Sequence, residues 1–388
     1  MQKTCFLRII AFLAILPFCF PAFAVSTTKI DAVRSKETLA DSDTEVIETF
    51  VAEAFKEFLA TNDFSDIAAA RMVIVNKSTS ELESGQFQYG PRYLAAAQKQ
   101  ITQAFEKISK MPNAERKQLL TMNLLILISD LGNLELSKAA FDYLQNPDAA
   151  IRYWAVSCLT NTNVLNLLNM AENSRTADEF GQKLLSLAKT EESPDIIILL
   201  SQFGGGLKPS VGNEILQQIA QGRINLYLNW QVKDEMVENW LLKALSNRSA
   251  IDSQNSTALM RNFATLYSLV IQRYILGQEV LPVKNIRNMA VVISQGEKDF
   301  TKYLPDWQNN LKRAIDRGGG ALLQTEHDSL LGSASTAGKL PTAAGFDYGP
   351  TKTSPPTLPK PPKMEKRTQT KTETEPNQPE ETAEEPNQ

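Results

Sequence analysis

Apolar residues recur at helical spacing along most of this chain, and this periodicity limits its fold more than any other feature. The first clear case follows Ser42, where Val46, Phe50 and Val51 lie on one face of a helix with further apolar residues. Similar patterns continue to about Arg317, with no succession of alternating strands. The short apolar run 72–75 fits either the end of a helix or one strand, which alone cannot make a sheet. The sequence therefore predicts an all-α protein.

Local signals indicate where the first helices begin. Ser42 and Glu45 have the spacing of a capping box, in which the two side chains satisfy backbone N–H groups at a helix start. Residues 25–41 before them are polar and aperiodic, and we expect an extended lead-in there. Pro91 and Pro112 are each expected to open a further helix, because the N–H that proline lacks has no partner in a first turn.

Two stretches of the sequence share one layout, a helix, a turn with Pro-Asp and a second apolar helix. The Pro-Asp pairs begin at Pro147 and Pro194, which are 47 residues apart. A period in the forties is typical of paired-helix solenoids, whose units stack because a single pair cannot bury its own apolar face. The spacing predicts a helix-pair repeat.

The first stretch resembles the HEAT/armadillo class of α-solenoids. It has the order that this family favours, Pro-Asp, an aliphatic residue, arginine, alanine and leucine, at Pro147, Asp148, Ile151, Arg152, Ala155 and Leu159. The second stretch has Ile198 or Leu199 where the arginine would fall, so it departs from the family's Asp–Arg ladder. The resemblance covers residues 135–204. It implies a helical-repeat domain, which we place at 42–317, with surfaces that bind other proteins.

The N-terminus is typical of a secretory signal peptide over residues 1–24. Lys3 and Arg8 precede an uncharged apolar run, and Ala22-Phe23-Ala24 predicts cleavage between Ala24 and Val25. The run is shorter than the roughly 20 residues of a membrane-spanning helix. We expect an exported chain without a membrane span after cleavage, periplasmic or else extracellular. An uncleaved anchor is the alternative.

The composition changes after Arg317. Glycine and serine runs predict a flexible connector over residues 318–350. Residues 351–388 contain many prolines and few apolar side chains, so they are expected to form a disordered tail. Its charge is segregated, with a basic part at 352–371 and an acidic part at 373–385.

One short pattern occurs twice. Phe87-Gln88-Tyr89-Gly90-Pro91 recurs as Phe346-Asp347-Tyr348-Gly349-Pro350 at the head of the tail. One interpretation is a coincidence between two turn-forming strings. The other is that Phe346 and Tyr348 form an aromatic anchor that docks on the helical domain.

The chain has few residues suited to catalysis or metal binding. His327 is the one histidine, and we expect it to be solvated within the connector. Cys158 is the one cysteine left after signal cleavage, and its apolar neighbours predict a core position. One histidine and one cysteine cannot make a zinc site of the usual kind. We therefore predict no catalytic residue, no cofactor and no metal ligand.

The helix-pair repeat, the long tail and the N-terminal signal favour an exported, non-catalytic interaction or scaffold protein. Its helical-repeat surface would bind a protein of the cell envelope, and its tail would be a tether or a second binding segment. A net charge of −4 argues against a nucleic-acid partner. The main alternative is an envelope enzyme acting on polysaccharide, whose nearest candidate residues are Tyr227, Trp230, Asp234, Glu235 and Trp240. Contact of residues 352–371 with anionic cell-wall polymers is a third hypothesis.

Overall fold

A computed structural model describes residues 25–81 and 87–362 of the chain, and these residues form an all-α protein. The all-α prediction is thus confirmed. The predicted cleavage site at Ala24 and the acidic part of the tail lie outside the described residues, as does everything else before Val25 and after Pro362. The helices are α1 (Thr28–Arg34), α2 (Asp41–Ala60), α3 (Phe64–Asn76), α4 (Tyr89–Ser109), α5 (Ala114–Leu131), α6 (Leu134–Ser137), α7 (Ala149–Thr160), α8 (Thr162–Leu168), α9 (Ser174–Ala188), α10 (Pro194–Gly206), α11 (Val211–Leu228), α12 (Val237–Ile251), α13 (Ser256–Gly277), α14 (Val283–Asp299), α15 (Asn310–Asp316), α16 (Gly320–Leu331) and α17 (Lys339–Ala344), with 3₁₀ segments at Lys138–Tyr143 and Ala171–Asn173.

The chain divides into two compact units, one up to Gln218 and the other from Ile219. The first unit is built of stacked helix pairs. Helices α3, α5, α7 and α10 pack on one another in succession, and each also packs against the helical segment that precedes it. This arrangement confirms the helix-pair repeat. Membership of the HEAT/armadillo family stays a prediction.

A buried ion pair connects the two Pro-Asp repeats of the first unit. Arg152 in α7 makes a two-pronged contact with Glu191, with Nε 2.9 Å from Oε2 and Nη2 3.0 Å from Oε1. Glu191 lies just before Pro194; its side chain is 1% exposed, and that of Arg152 is 20% exposed. Asp148, which the family resemblance would pair with an arginine, instead accepts a hydrogen bond from the N–H of Ala150 at the start of α7. The repeats are therefore joined by an Arg–Glu pair.

The helix starts differ in detail from the predicted ones. Helix α2 begins at Asp41, and the carboxylate of Asp43 accepts the N–H of Ala40 at 2.9 Å. The predicted capping box of Ser42 and Glu45 is therefore wrong, since the N-cap is Ala40 and the helix begins two residues too early for that box. The lead-in is not extended throughout, because α1 forms where Ile30 and Val33 can be buried. The apolar run 72–75 belongs to α3.

The predicted flexible connector over residues 318–350 is wrong. Helices α16 and α17 lie within it, and Leu323, Leu330 and Leu340 are at most 1% exposed. These leucines let the segment pack on α13, which outweighs the flexibility of its glycines. Residues 351–362, predicted to be disordered, are also described, and Leu358 among them is 3% exposed. Among the described helices, none is long and apolar enough to cross a bilayer.

Candidate interaction site

A groove on the second unit runs between α12, α14 and α15. Its cavity has a volume of about 840 Å³. Its lining combines exposed apolar side chains with lysines. The lining residues are Met236, Asn239, Trp240, Lys243, Ala290, Val291, Ser294, Gln295, Lys298, Asn309, Lys312, Ile315 and Asp316.

Trp240 gives the groove an exposed aromatic surface. Helix α12 buries Val237, Leu241 and Leu245, so Trp240 and Lys243 fall on the opposite face. Trp240 is 43% exposed, and Met236 beside it is 39% exposed. The apolar stripe of this helix is therefore wider than the face that its neighbours cover.

The groove is electropositive. Lys243, Lys298 and Lys312 are exposed, and Asp316 is the one carboxylate in the lining. Asp316 is paired with Lys312 at 2.6 Å. Three positive charges against one negative charge favour an anionic ligand.

Glu297 holds the α15 wall of the groove in place. Its carboxylate is fully buried, and it accepts the N–H groups of Leu311 and Lys312 at 2.8 Å each. It also accepts the indole N–H of Trp307 at 2.7 Å. These bonds satisfy backbone donors that the first turn of α15 leaves without helical partners. The wall that carries Lys312 is thereby anchored to α14.

Asp299 is the last residue of α14 and follows Lys298 of the groove lining. Burial raises the pKa of its carboxyl to about 6, although the nearby lysines Lys243, Lys302 and Lys298 act in the opposite direction. A carboxylate at a helix C-terminus also meets the negative end of the helix dipole.

The candidate residues of the polysaccharide hypothesis fall into two places. Tyr227, Trp230 and Glu235 lie together in the interior of the second unit, whereas Trp240 lies in the groove. Asp234 is exposed, and its carbonyl oxygen accepts a hydrogen bond from Arg223 at 2.8 Å.

The interior of the second unit also contains an ionic network of two arginines and two glutamates, to which Glu235 belongs. Arg223 Nε lies 2.6 Å from Glu238 Oε1. The guanidinium of Arg273 is 3.9 Å from Glu235 and lies 5.1 Å from the ring centroid of Trp230. Burial raises the pKa of the Glu238 carboxyl, and the contact with Arg223 offsets only part of this rise. Removing one partner of such a buried pair would leave an uncompensated charge in the interior.

The motifs in the sequence do not single out Arg223, Glu238 or Arg273. Each is a charged residue on an otherwise apolar helix face, as Glu238 is between Val237 and Leu241. A charged side chain in such a position is rarely buried unless it has a partner. Its place on an apolar face is the sequence feature that could have indicated a buried ion pair.

His327 is buried, so the prediction of a solvated histidine is wrong. It is 3% exposed; its Nε2 lies 2.8 Å from Ser268 Oγ, and its Nδ1 lies 2.9 Å from Asp328 Oδ1. Ser, His and Asp follow the order used in nucleophilic catalysis. Ser268, however, is fully buried in the middle of α13, where the backbone N–H groups are used by the helix and cannot stabilise an oxyanion. We interpret the arrangement as a contact that holds α16 against α13.

The two copies of the aromatic pattern have different surroundings. Phe87 is 88% exposed, and Tyr89 is fully buried in the first unit. Phe346 and Tyr348 are each 8% exposed in the second unit, with ring centroids 5.4 Å apart. The carbonyl oxygen of Asp347 between them accepts a hydrogen bond from Arg261 of α13 at 2.6 Å.

Cys158 is fully buried, as predicted, and its thiol donates to the carbonyl oxygen of Leu125 at 3.0 Å.

Comparisons of the chain with protein-family models, with curated proteins and with solved structures found no match. The geometry of the groove is therefore the main basis for a functional hypothesis.

Proposed function

We propose that the protein is an exported, non-catalytic binding protein whose groove takes an acidic segment of a partner protein in the cell envelope. The observation that carries this proposal is Trp240, an aromatic side chain exposed in a groove whose lining has three lysines and one carboxylate. The helix pairs of the first unit would be a rigid scaffold, and the C-terminal tail would be a tether or a second binding segment.

The chemistry of the lining supports a ligand with one apolar side chain and acidic neighbours. Trp240, Met236 and Val291 offer an apolar surface for one aliphatic or aromatic side chain of the ligand. Lys243 and Lys298 of the same lining suit carboxylates that flank this anchor. Aromatic anchors supply most of the affinity of such contacts, whereas surface charges supply selectivity and association rate.

Trp240 also favours a second candidate, the binding of an anionic polysaccharide. An exposed indole ring can stack on a sugar, and the lysines would pair with its acidic groups. Cleavage of a glycosidic bond normally uses two carboxyl groups that flank the bond. Asp316 is the one carboxylate of the lining and is bound by Lys312, so we favour binding over hydrolysis.

Fluorescence anisotropy on the full chain tests the proposal. The probes are labelled 12-residue peptides of glutamate and serine with one central leucine or phenylalanine, and a labelled polygalacturonate oligosaccharide. We expect the peptides to bind, and Trp240→Ala to weaken binding at least tenfold. Lys243→Glu combined with Lys298→Glu should have a similar effect.

The matched control is Lys56→Glu combined with Lys99→Glu, which changes the same charge at exposed positions of the first unit. This variant should bind the peptides as the unmodified chain does. If both double variants lose peptide affinity equally, the loss comes from the change in net charge alone, and the proposal is contradicted. Binding of the oligosaccharide alone would replace the first candidate with the second.

A further inference from the structure

Residues 355–359, Pro-Pro-Thr-Leu-Pro, lie against α13 although they belong to the region predicted to be disordered. Pro355 is buried, and Leu358 is 3% exposed. Thr357 between them is exposed, as are Pro359 and Lys360 after them. The segment therefore presents Pro355 and Leu358 to the protein and leaves Pro356 half-buried between them.

Three side-chain hydrogen bonds are made to the backbone of this segment. The side-chain amide of Gln272 donates to the carbonyl oxygen of Pro356 at 2.9 Å and accepts the N–H of Leu358 at 2.7 Å. The indole N–H of Trp230 donates to the carbonyl oxygen of Pro359 at 2.9 Å. Two of these bonds go to proline carbonyls, which remain available as acceptors because proline lacks only the donor.

Trp230, which makes the third of these hydrogen bonds, has a strained backbone. Helix α11 ends in a Schellman motif, in which Trp230 N–H bonds to Tyr227 O at 2.9 Å and Gln231 N–H bonds to Leu226 O at 2.8 Å. Trp230 occupies the left-handed position of this motif, with a φ of 59°. Glycine is the usual residue there, and a bulky side chain costs roughly 1–2 kcal/mol. The indole ring thus stands at a strained position between Arg273 and Pro359.

Proline also makes the segment a low-entropy ligand. Each proline restricts its own φ, and the residue before each proline is pushed toward extended backbone. Within residues 354–362 these two effects restrict every residue except Thr357. Such a segment loses little conformational freedom on docking, which is why proline-rich peptides are recognised by grooves with aromatic side chains. This is also the physical reason why the disorder predicted for 351–362 is wrong.

We propose that Gln272 and Trp230, together with the face of α13 that the segment covers, form a recognition site for proline-rich peptides of the pattern Pro-Pro-x-Leu-Pro. The chain's own residues 355–359 fill the site in this structure. A partner peptide with the same pattern competes with them for the site. The inference does not depend on the groove at Trp240 or on its acidic ligand.

The test uses the full chain and a fluorescein-labelled peptide with the sequence of residues 353–362. In the unmodified chain the internal segment competes at the effective concentration of a tethered ligand, in the millimolar range. Leu358→Asp unseats the internal segment by placing a charge in an apolar position. We expect this variant to bind the free peptide at least tenfold more tightly than the unmodified chain, and addition of Gln272→Ala to abolish the gain.

Two controls separate recognition from general opening of the fold. Thr357→Asp adds the same charge at the neighbouring exposed position, so it should bind the peptide no better than the unmodified chain. A peptide with aspartate in place of its leucine should not bind Leu358→Asp. If that peptide binds equally well, or if Leu358→Asp binds neither peptide, the inference is wrong.

A second measurement covers the case in which Leu358→Asp does not fold. A nitroxide is attached at Thr357→Cys in a chain with Cys5 and Cys19 replaced by serine, and buried Cys158 is left in place. Millimolar free peptide should mobilise the nitroxide by displacing the segment, and the aspartate peptide should not. A spectrum that does not change with either peptide would overturn the proposal.

Discussion

His327 Nε2 lies 2.8 Å from Ser268 Oγ, and both side chains are buried. In the neutral imidazole, Nδ1 carries the proton and donates a hydrogen bond to the carboxylate of Asp328. Nε2 then accepts a hydrogen bond from the hydroxyl of Ser268. A second proton on Nε2 would turn this nitrogen into a donor, and the buried hydroxyl of Ser268 would then need another acceptor. The contact is therefore suited to the neutral form of histidine alone.

We expect the pKa of His327 to lie below 6.5, because burial lowers it and the hydrogen bond to Asp328 offsets only part of that effect. The unfolded chain then binds more protons below pH 6.5, so stability falls as the pH drops through 6.5 toward the folded pKa. NMR titration gives a direct measurement, since the chain has one histidine.

The same reasoning predicts a smaller pH dependence for His327→Gln. The melting temperature of the unmodified chain should fall more between pH 7.5 and pH 5.5 than that of the variant. An imidazole signal with a midpoint above 6.5 would contradict the prediction.

Arg152→Ala should destabilise the first unit by about 3 kcal/mol, because it leaves the carboxylate of Glu191 buried without its charged partner. Arg152→Lys should recover only part of this loss, since lysine cannot make the two-pronged contact. Urea unfolding followed by circular dichroism measures both. Lys138→Ala removes the exposed pair with Glu135 and should change stability by less than about 0.5 kcal/mol. Equal effects of the two alanine variants would refute the assigned role of Arg152.

Glu191 adds a pH dependence to this contact. Burial raises the pKa of its carboxyl, but hydrogen bonds from Arg152 and from the N–H of Ser193 outweigh burial and lower the pKa below 4.5. The pair therefore stabilises the fold above pH 4.5, and this contribution is lost as the pH falls through the folded pKa. The cost of Arg152→Ala should accordingly be smaller at pH 3 than at pH 7.

Asp299→Asn should raise the melting temperature by about 2 °C at pH 8. Burial raises the pKa of the carboxyl to about 6, so the folded state disfavours its ionised form. Stability is lost as the pH rises from about 4 to about 6, and the amide removes this loss. At pH 4 the variant should match the unmodified chain. Asp306→Asn, at an exposed position, is the control, and a gain at pH 4 as large as that at pH 8 would speak against burial as the cause.

Trp230→Gly should be more stable than Trp230→Ala by about 1 kcal/mol, although it removes more of the side chain. Both variants lose the stack on Arg273 and the hydrogen bond to Pro359, but only glycine accepts a φ of 59° without strain. Thermal unfolding of the two variants gives the comparison. If alanine is the more stable, Trp230 does not hold a strained backbone in solution.

Local patterns in the sequence predicted much of the scaffold. The helical class, the helix pairs around Pro147 and Pro194, and the burial of Cys158 follow from periodicity and turn residues. These features depend on residues only a few positions apart, and helix formation responds mainly to such neighbours. The groove at Trp240 and the docking of residues 355–359 on α13 do not follow from such neighbours, because their residues come from separate segments of the chain.

The sequence by itself determined that the chain forms paired helices and which residues could face a core. Only the tertiary structure decided that Trp240 is exposed, that His327 is buried and that Leu358 docks beside Gln272. Periodicity marks an apolar face, but whether that face is covered depends on distant segments that pack against it. A charge or a proline-rich segment is likewise buried only when a distant partner satisfies its polar groups.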